Sequence, residues 1–198
     1  MKTAITGGIG SGKSYVCRLL GQHGIDIYDC DAAAKRLMRT STELRRQLTQ
    51  LVGPEAYHSD GQLDKRAIAT FLLSSQDNAK ALDALIHPAV AQDFVASGMK
   101  WMECAILFES GFDRLVDRVV VVTAPFDLRV SRIMQRDGIT RQKAIEWINC
   151  QWPQDEVRRL SHLEIVNDGV TPLEDQLRPL LSPPYHQTPI TQNLTPNT

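Results

Sequence analysis

The stretch TAITGGIGSGKSYVCRLL, residues 3–20, decides how this chain is read. A short apolar run meets four glycines between residues 7 and 12, then a Lys-Ser pair, then helical spacing. Residues 7–14, GGIGSGKS, fit G-x-x-x-x-G-K-[ST], the phosphate-binding loop that joins a strand to a helix. The flanks agree. Residues 2–6 read as a short buried strand, and residues 13–22 read as a helix with Val16, Leu19 and Leu20 on one face. Glycine lets the backbone fold tightly enough to turn several N–H groups toward one point, and the helix N-terminus adds its positive dipole end there. Gly8, Gly10, Ser11 and Gly12 are therefore expected to cradle phosphates, with Tyr15 following in the first helical turn. Lys13 is expected to reach the β- and γ-phosphates, and the Ser14 hydroxyl to ligate Mg²⁺. A plain glycine-rich turn would not require the Lys-Ser pair.

Outward from the loop, residues 25–28 read as a second strand ending at Asp29-Cys30-Asp31, and residues 32–39 as a helix. In an open α/β sheet, ligands sit beyond the carboxyl ends of the strands. Asp29 and Asp31 are expected there, to accept a proton from an attacking hydroxyl or to hold a metal-bound water. Asp31 has a second reading, as the N-cap of the helix that follows it. Further strands are expected at residues 104–108 (CAILF, stopping at Glu109), 118–123 (RVVVVT) and 164–166. Apolar runs interleaved with helices imply a parallel sheet covered on both faces.

The fold class expected is α/β, a three-layer sandwich around a parallel sheet. Residues 32–102 are mainly helical by pattern and too long for an ordinary crossover, which implies an inserted helical lobe in one domain spanning residues 1–181, with a core of about 1–31 and 103–181. Arg129, Arg132 and Arg136 fall on one helical stripe, followed by Arg141 and Lys143 after an Asp-Gly break. That stripe is either a solvated basic face or a lid, about residues 129–150, that neutralises charge on a transferring phosphoryl group and excludes water. Residues 182–198, rich in Pro, Thr, Gln and Asn, read as a tail outside the core.

Composition narrows the function classes. A net charge of −1 gives no global attraction to nucleic acid or anionic membranes, and no run approaches the length of a transmembrane helix. The N-terminus shows no signal-peptide pattern. Cys17, Cys30, Cys104 and Cys150 are widely spaced without a metal-ligand pattern, and are expected to be reduced, buried thiols of a cytoplasmic protein.

Taken in order, TGGIGSGKS, GIDIYDCDAAAKRL, DGQLDKRAI, LIHP, ILFE, VVVVTAP, RIMQRDG, CQ and VNDG resemble the dephospho-CoA kinase family over residues 3–180. The resemblance implies a P-loop kinase that moves the γ-phosphate of ATP, with Mg²⁺, to the ribose 3′-hydroxyl of dephospho-CoA. It implies Asp31 as general base, Asp29 as a positioning acid, and Lys13 and Arg136 as catalytic cations. It places Arg132 in the lid and Asn167 near the adenine. Lys65, Arg66, His87 and Glu109 fall on the substrate side. His87 precedes Pro88, which suits a first helical position, so a helix-start bond is its alternative reading. Glu109 is open between a metal-water contact and a salt bridge to a lid arginine. A monomer or small homo-oligomer is expected.

Four positions depart from the family's pattern: Tyr15 for a usual Thr, Lys65 for Arg, Arg129 for Gln, and no Pro in the strand before Glu109. None removes a catalytic group. Another small-molecule P-loop kinase would share the loop and the acids, but would not need Asp29-x-Asp31, His87-Pro88 and Phe108-Glu109 together. A slow GTP-hydrolysing switch should carry Asn-Lys-x-Asp after a strand, and the chain has none.

Overall fold

Strand β1 (Thr3–Thr6), buried along its whole length, is the centre of a five-stranded sheet in a computed structural model that describes residues 1–181. The other strands are β2 (Ile27–Asp29), β3 (Trp101–Glu103), β4 (Arg118–Thr123) and β5 (Leu163–Val166), in the order β2-β3-β1-β4-β5. All four pairings are parallel. The expected tail at residues 182–198 lies outside the described residues.

Register sorts the core onto two faces. Ala4 lies opposite both Met102 and Val119, and Met102 opposite Tyr28, so these four face one cluster. One residue on, Ile5 and Val120 face the other, together with Val122 and Ile165. Helices α1 (Lys13–Gln22) and α9 (Leu173–Leu181) cover the second face through Val16, Leu20, Leu177 and Leu180. Between β2 and β3 run α2 (Cys30–Thr40), α3 (Thr42–Val52), α4 (Lys65–Ser74) and α5 (Gln76–Ser97). The long α5 lays Leu82, Ile86, Val90 and Phe94 into the first face, where Leu44 and Leu48 of α3 join them. Tyr28 of β2 donates to Asp93 of α5 at 2.7 Å, tying the helical segment to the sheet. After β4 come α6 (Phe126–Asp137), α7 (Arg141–Asn149) and α8 (Gln154–Leu160). No helix among the described residues is long and apolar enough to cross a membrane.

Four local expectations are corrected. The third strand is Trp101–Glu103, not residues 104–108. Cys104 makes one last ladder bond, its N–H donating to Ile5 O, and the chain then turns. The turn closes with Ser110 N–H to Ile106 O and Phe112 N–H to Leu107 O. CAILF is apolar because Cys104 and Leu107 anchor that turn in the core, not because it is a strand. Second, the cap of α2 is Asp29, whose Oδ1 accepts from Ala32 N–H at 2.9 Å, whereas Asp31 sits inside the first turn. Third, His87-Pro88 lies within α5, which starts at Gln76 under a Ser75 cap. Pro88 has no N–H to give the carbonyl of Ala84 in the preceding turn. Fourth, Cys150 is exposed, while Cys17, Cys30 and Cys104 are buried as expected.

Candidate active site

The loop between β1 and α1 crosses the carboxyl edge of the sheet, and two of its glycines have no substitute. Gly10 (φ 80°) and Gly12 (φ 88°) adopt left-handed backbone that L side chains rarely enter. A Cβ on Gly10 would stand 2.7 Å from the carbonyl oxygen of Arg129, and one on Gly12 would overlap the side-chain amide of Asn167. The loop is thus pressed against α6 and the end of β5. The cleft above it holds about 600 Å³.

That cleft collects most of the sequence candidates. Gly8, Gly10, Gly12, Lys13, Ser14 and Tyr15 line it from the loop. Asp29 and Asp31 line it from the end of β2 and the start of α2, and Arg132 and Arg136 from α6. Ser11 does not line it: the residue is fully buried under the loop, with an unpartnered Oγ close to Gly7. Lys65, Arg66, His87 and Glu109 also lie outside the residues lining the cleft. Lys65 and Arg66 are exposed at the start of α4, where the Asp64 cap accepts from the N–H of Arg66 at 2.8 Å. His87 meets the ring of Phe112 edge-on at 5.8 Å and stands 3.5 Å from Asp83. Glu109 accepts from Trp152 N–H at 3.4 Å.

The arginine stripe is not a solvated face, since Arg129 and Arg132 turn into the loop. Arg129 is buried, and its Nε donates to Ile9 O at 2.9 Å. Burial without a carboxylate partner pulls its guanidinium below the ordinary arginine value. Arg132 donates to the carbonyls of Gly10 and Ser11, and through its other nitrogen to Asn167 O at 3.1 Å and Oδ1 at 3.3 Å. Asn167 closes the circuit, its amide donating to Ser11 O at 2.8 Å. Both ends of the Asn167 side chain are therefore engaged on the loop and α6. Two arginines and one amide thus pair with the loop carbonyls of Ile9, Gly10 and Ser11. Arg136, one turn further, pairs with its neighbour Asp137 at 2.7 Å and keeps 59% of its side chain exposed.

Among the polar residues of the cleft, Glu103 and Lys35 had no role in the sequence reading, and Gln151 entered it only within the CQ motif. Gln151 accepts from Ile9 N–H at 2.7 Å and so fixes the loop from the far side. Glu103 is the most consequential. Ending β3 beside β1, its Oε1 takes both the Lys13 ammonium and the Ser14 hydroxyl at 2.6 Å. The Lys13 and Glu103 side chains are only 12% and 13% exposed. Burial pushes the Glu103 carboxyl up, but the Lys13 charge and the hydrogen bonds from Lys13 and Ser14 outweigh it and hold the group below the usual carboxylate range.

Such an acid is more ionised folded than unfolded. Its stabilisation is fully present above the unfolded glutamate value of about 4.3 and is lost as pH falls through the folded value. Glu103→Gln should therefore melt below wild type at neutral pH, because Lys13 is left buried without its counter-charge. The gap should narrow on acidification below about pH 4. Melts of both proteins across that range check this; a gap independent of pH would show that the carboxylate contributes nothing through its charge.

The comparisons with known proteins agree with this geometry. The chain matches the dephospho-CoA kinase family over residues 1–172. It is 37% identical over 193 residues to the dephospho-CoA kinase of Bacteroides fragilis, covering 92% of each chain. It is 38% identical over 187 residues to that of Chlorobaculum tepidum, covering 88% of each. Among solved structures, one from Thermus thermophilus superposes with a TM-score of 0.74 at 33% identity, over 91% of this chain and 94% of the other. Dephospho-CoA kinase from Campylobacter jejuni shares the fold at a TM-score of 0.60 and 21% identity, over 88% of this chain and 92% of that one. With a parallel P-loop sheet, a cleft that gathers its acids and cations, and relatives matched along nearly their whole length, the chain belongs to the dephospho-CoA kinase family.

Proposed function

We propose that this protein transfers the γ-phosphoryl group of ATP to the ribose 3′-hydroxyl of dephospho-CoA, giving coenzyme A and ADP. One observation carries the assignment of roles: Asp31 lines the same cleft as Lys13 and Ser14 and is not the cap of its helix. Its carboxylate is free to accept the proton of the attacking hydroxyl, while the neighbouring Asp29 holds α2 in place. The helical segment, about residues 32–102, serves as the acceptor lobe, and about residues 129–150 as the lid. On this reading Lys65, Arg66 and His87 contact the acceptor's outer parts, away from the reacting oxygen.

Lys13 supplies the cation for the β- and γ-phosphates. Glu103 holds that ammonium at 2.6 Å and so orients the lysine at the mouth of the loop. Ser14 and Glu103 set a hydroxyl and a carboxylate side by side at the cleft. Few protein oxygens, with substrate phosphates supplying the rest, is the donor set Mg²⁺ prefers, so the residues fit it. Bound there by Ser14, Mg²⁺ would neutralise phosphate charge. Arg132 is held by the loop and Asn167, whereas Arg136 is exposed and pairs with its chain neighbour Asp137. Arg136 is therefore the cation that closes on the transferring group and helps exclude water.

Arg136→Ala should lower kcat about tenfold or more while leaving the Kd for ATP within a few-fold, because its phosphate partner gains charge mainly in the transition state. Nucleotide titration beside steady-state rates separates the two; an unchanged kcat with weakened ATP binding would make Arg136 a ground-state grip. The activity itself is tested by ADP release with dephospho-CoA, adenosine and AMP as alternative acceptors. Release that depends on dephospho-CoA supports the proposal, and equal or greater release with adenosine or AMP overturns it.

A further inference from the structure

One cation lies behind the phosphate loop instead of in the cleft. Arg129 is only 5% exposed and is not among the residues lining the cleft. Its Nε donates to Ile9 O at 2.9 Å. The end of the guanidinium lies against Gly8, which does line the cleft: a Cβ on Gly8 would stand 2.5 Å from Nη2. Ile9 is held on its other side as well. Its N–H donates to Gln151 Oε1 at 2.7 Å, and its side chain packs on the cluster of Val130, Ile133 and Ile148. The charge of Arg129 is thus fixed in place with the loop backbone between it and the cleft. Among the described residues no carboxylate pairs with it.

We propose that Arg129 is a positioning and specificity-determining residue for the nucleotide: it fixes the Ile9 peptide and sets behind the loop a positive charge that a bound polyphosphate neutralises. The proposal rests on the reading of the loop as the ATP site, and not on the identity of the acceptor. A charge taken out of water without a counter-charge is unfavourable. Burial depresses the Arg129 guanidinium for that reason. Phosphates bound on the cleft side of Gly8 relieve the cost, so the unpaired cation adds to nucleotide affinity without touching the nucleotide. Two unit charges about 10 Å apart change an affinity by about tenfold at the effective dielectric of about 20 that fits buried sites. The effect grows with phosphate charge, and so favours ATP over ADP.

Position and charge can be separated by side-chain length. Arginine and glutamine both carry a nitrogen with a hydrogen to donate directly after Cδ. Arg129→Gln therefore keeps a donor for Ile9 O at the same reach and removes the charge. Arg129→Lys keeps the charge, one atom further out and without the planar fork. Phosphates are charged in the ground state and in the transition state alike. Losing a charge behind the loop weakens both, which raises Kd and KM and leaves kcat nearly unchanged. That is the reverse of the split expected for Arg136.

The test is calorimetric titration of the full chain and both variants with ATP and with ADP, beside thermal melts without nucleotide and steady-state rates. Arg129→Gln should melt no lower than wild type, bind ATP at least about tenfold more weakly, and lose less for ADP. Its kcat should stay within a few-fold. Arg129→Lys should bind ATP within a few-fold of wild type. Wild-type affinity for ATP in a folded Arg129→Gln protein overturns the proposal. So does a folded Arg129→Lys protein weakened as much as Arg129→Gln, since the charge would then not be the agent. A lowered melt with equal losses for ATP and ADP would leave Arg129 a mere support of the loop, and overturns it too. Binding needs no acceptor, so these results decide the role of Arg129 even if dephospho-CoA is not the molecule phosphorylated. Wild type that binds no ATP would instead overturn the reading of the loop itself.

Discussion

Lys13→Ala is expected to lower kcat by at least about 10²-fold, the scale on which a preorganised electrostatic group acts in phosphoryl transfer. The ammonium is the loop's own charge, and the structure shows it already ordered at 2.6 Å from Glu103. Removing it has a second effect, since Glu103 is then left almost buried without a counter-charge, which lowers stability. The two effects separate in a double variant. Lys13→Ala with Glu103→Gln should recover much of the melting temperature lost by Lys13→Ala alone, and none of the rate. Recovery of the rate would mean that the single variant failed through an uncompensated Glu103 and not through loss of a phosphate cation. Near-wild-type turnover in a folded Lys13→Ala protein would contradict the site outright.

Asp31→Asn should lose about 10²-fold in kcat. A neutral amide is a far weaker base than a carboxylate, and loose phosphoryl transition states place the effect at the lower end of the range for general bases. Stability should barely move. Asp31 caps nothing, and its contribution as an acid in the first turn of α2 is at most about 1 kcal/mol. Asp29 is the contrasting position. Asp29→Asn keeps a good cap, while Asp29→Ala loses the bond to Ala32 N–H and should cost about 1 kcal/mol. Thermal melts and steady-state rates on the three variants distinguish the roles: a large rate loss in Asp29→Asn with none in Asp31→Asn would move the base to Asp29.

The sequence made the fold legible where one physical cause dominates a segment. GGIGSGKS admits one backbone path, so β1, the loop and α1 fall where the pattern puts them. RVVVVT is β-branched and buried from both sides, and forms β4 over the same residues. Reading failed where two causes produce one pattern. CAILF is apolar because a turn is anchored in the core, and taking it for a strand moved the strand-end acid from Glu103 to Glu109. The acid that closes WME was the available signal, masked by the longer apolar run after it. Asp29 and Asp31 are both good caps by type, and only the backbone decides that α2 starts at Cys30. The arginine spacing identified one face of α6, but not that Arg129 and Arg132 spend it on loop carbonyls, because the partners are over a hundred residues away in the chain. Gln151 stood in the CQ motif, but its bond to the Ile9 N–H was hidden for the same reason.

The most direct measurement is the structure of the product. ATP and dephospho-CoA are incubated with the enzyme, and the nucleotide formed is identified by mass and by phosphorus NMR. The account predicts one added phosphate, on the ribose 3′-oxygen, formed in step with ADP and absent with Lys13→Ala. ADP release without a phosphorylated acceptor, or a phosphate on any other oxygen of dephospho-CoA, would contradict it.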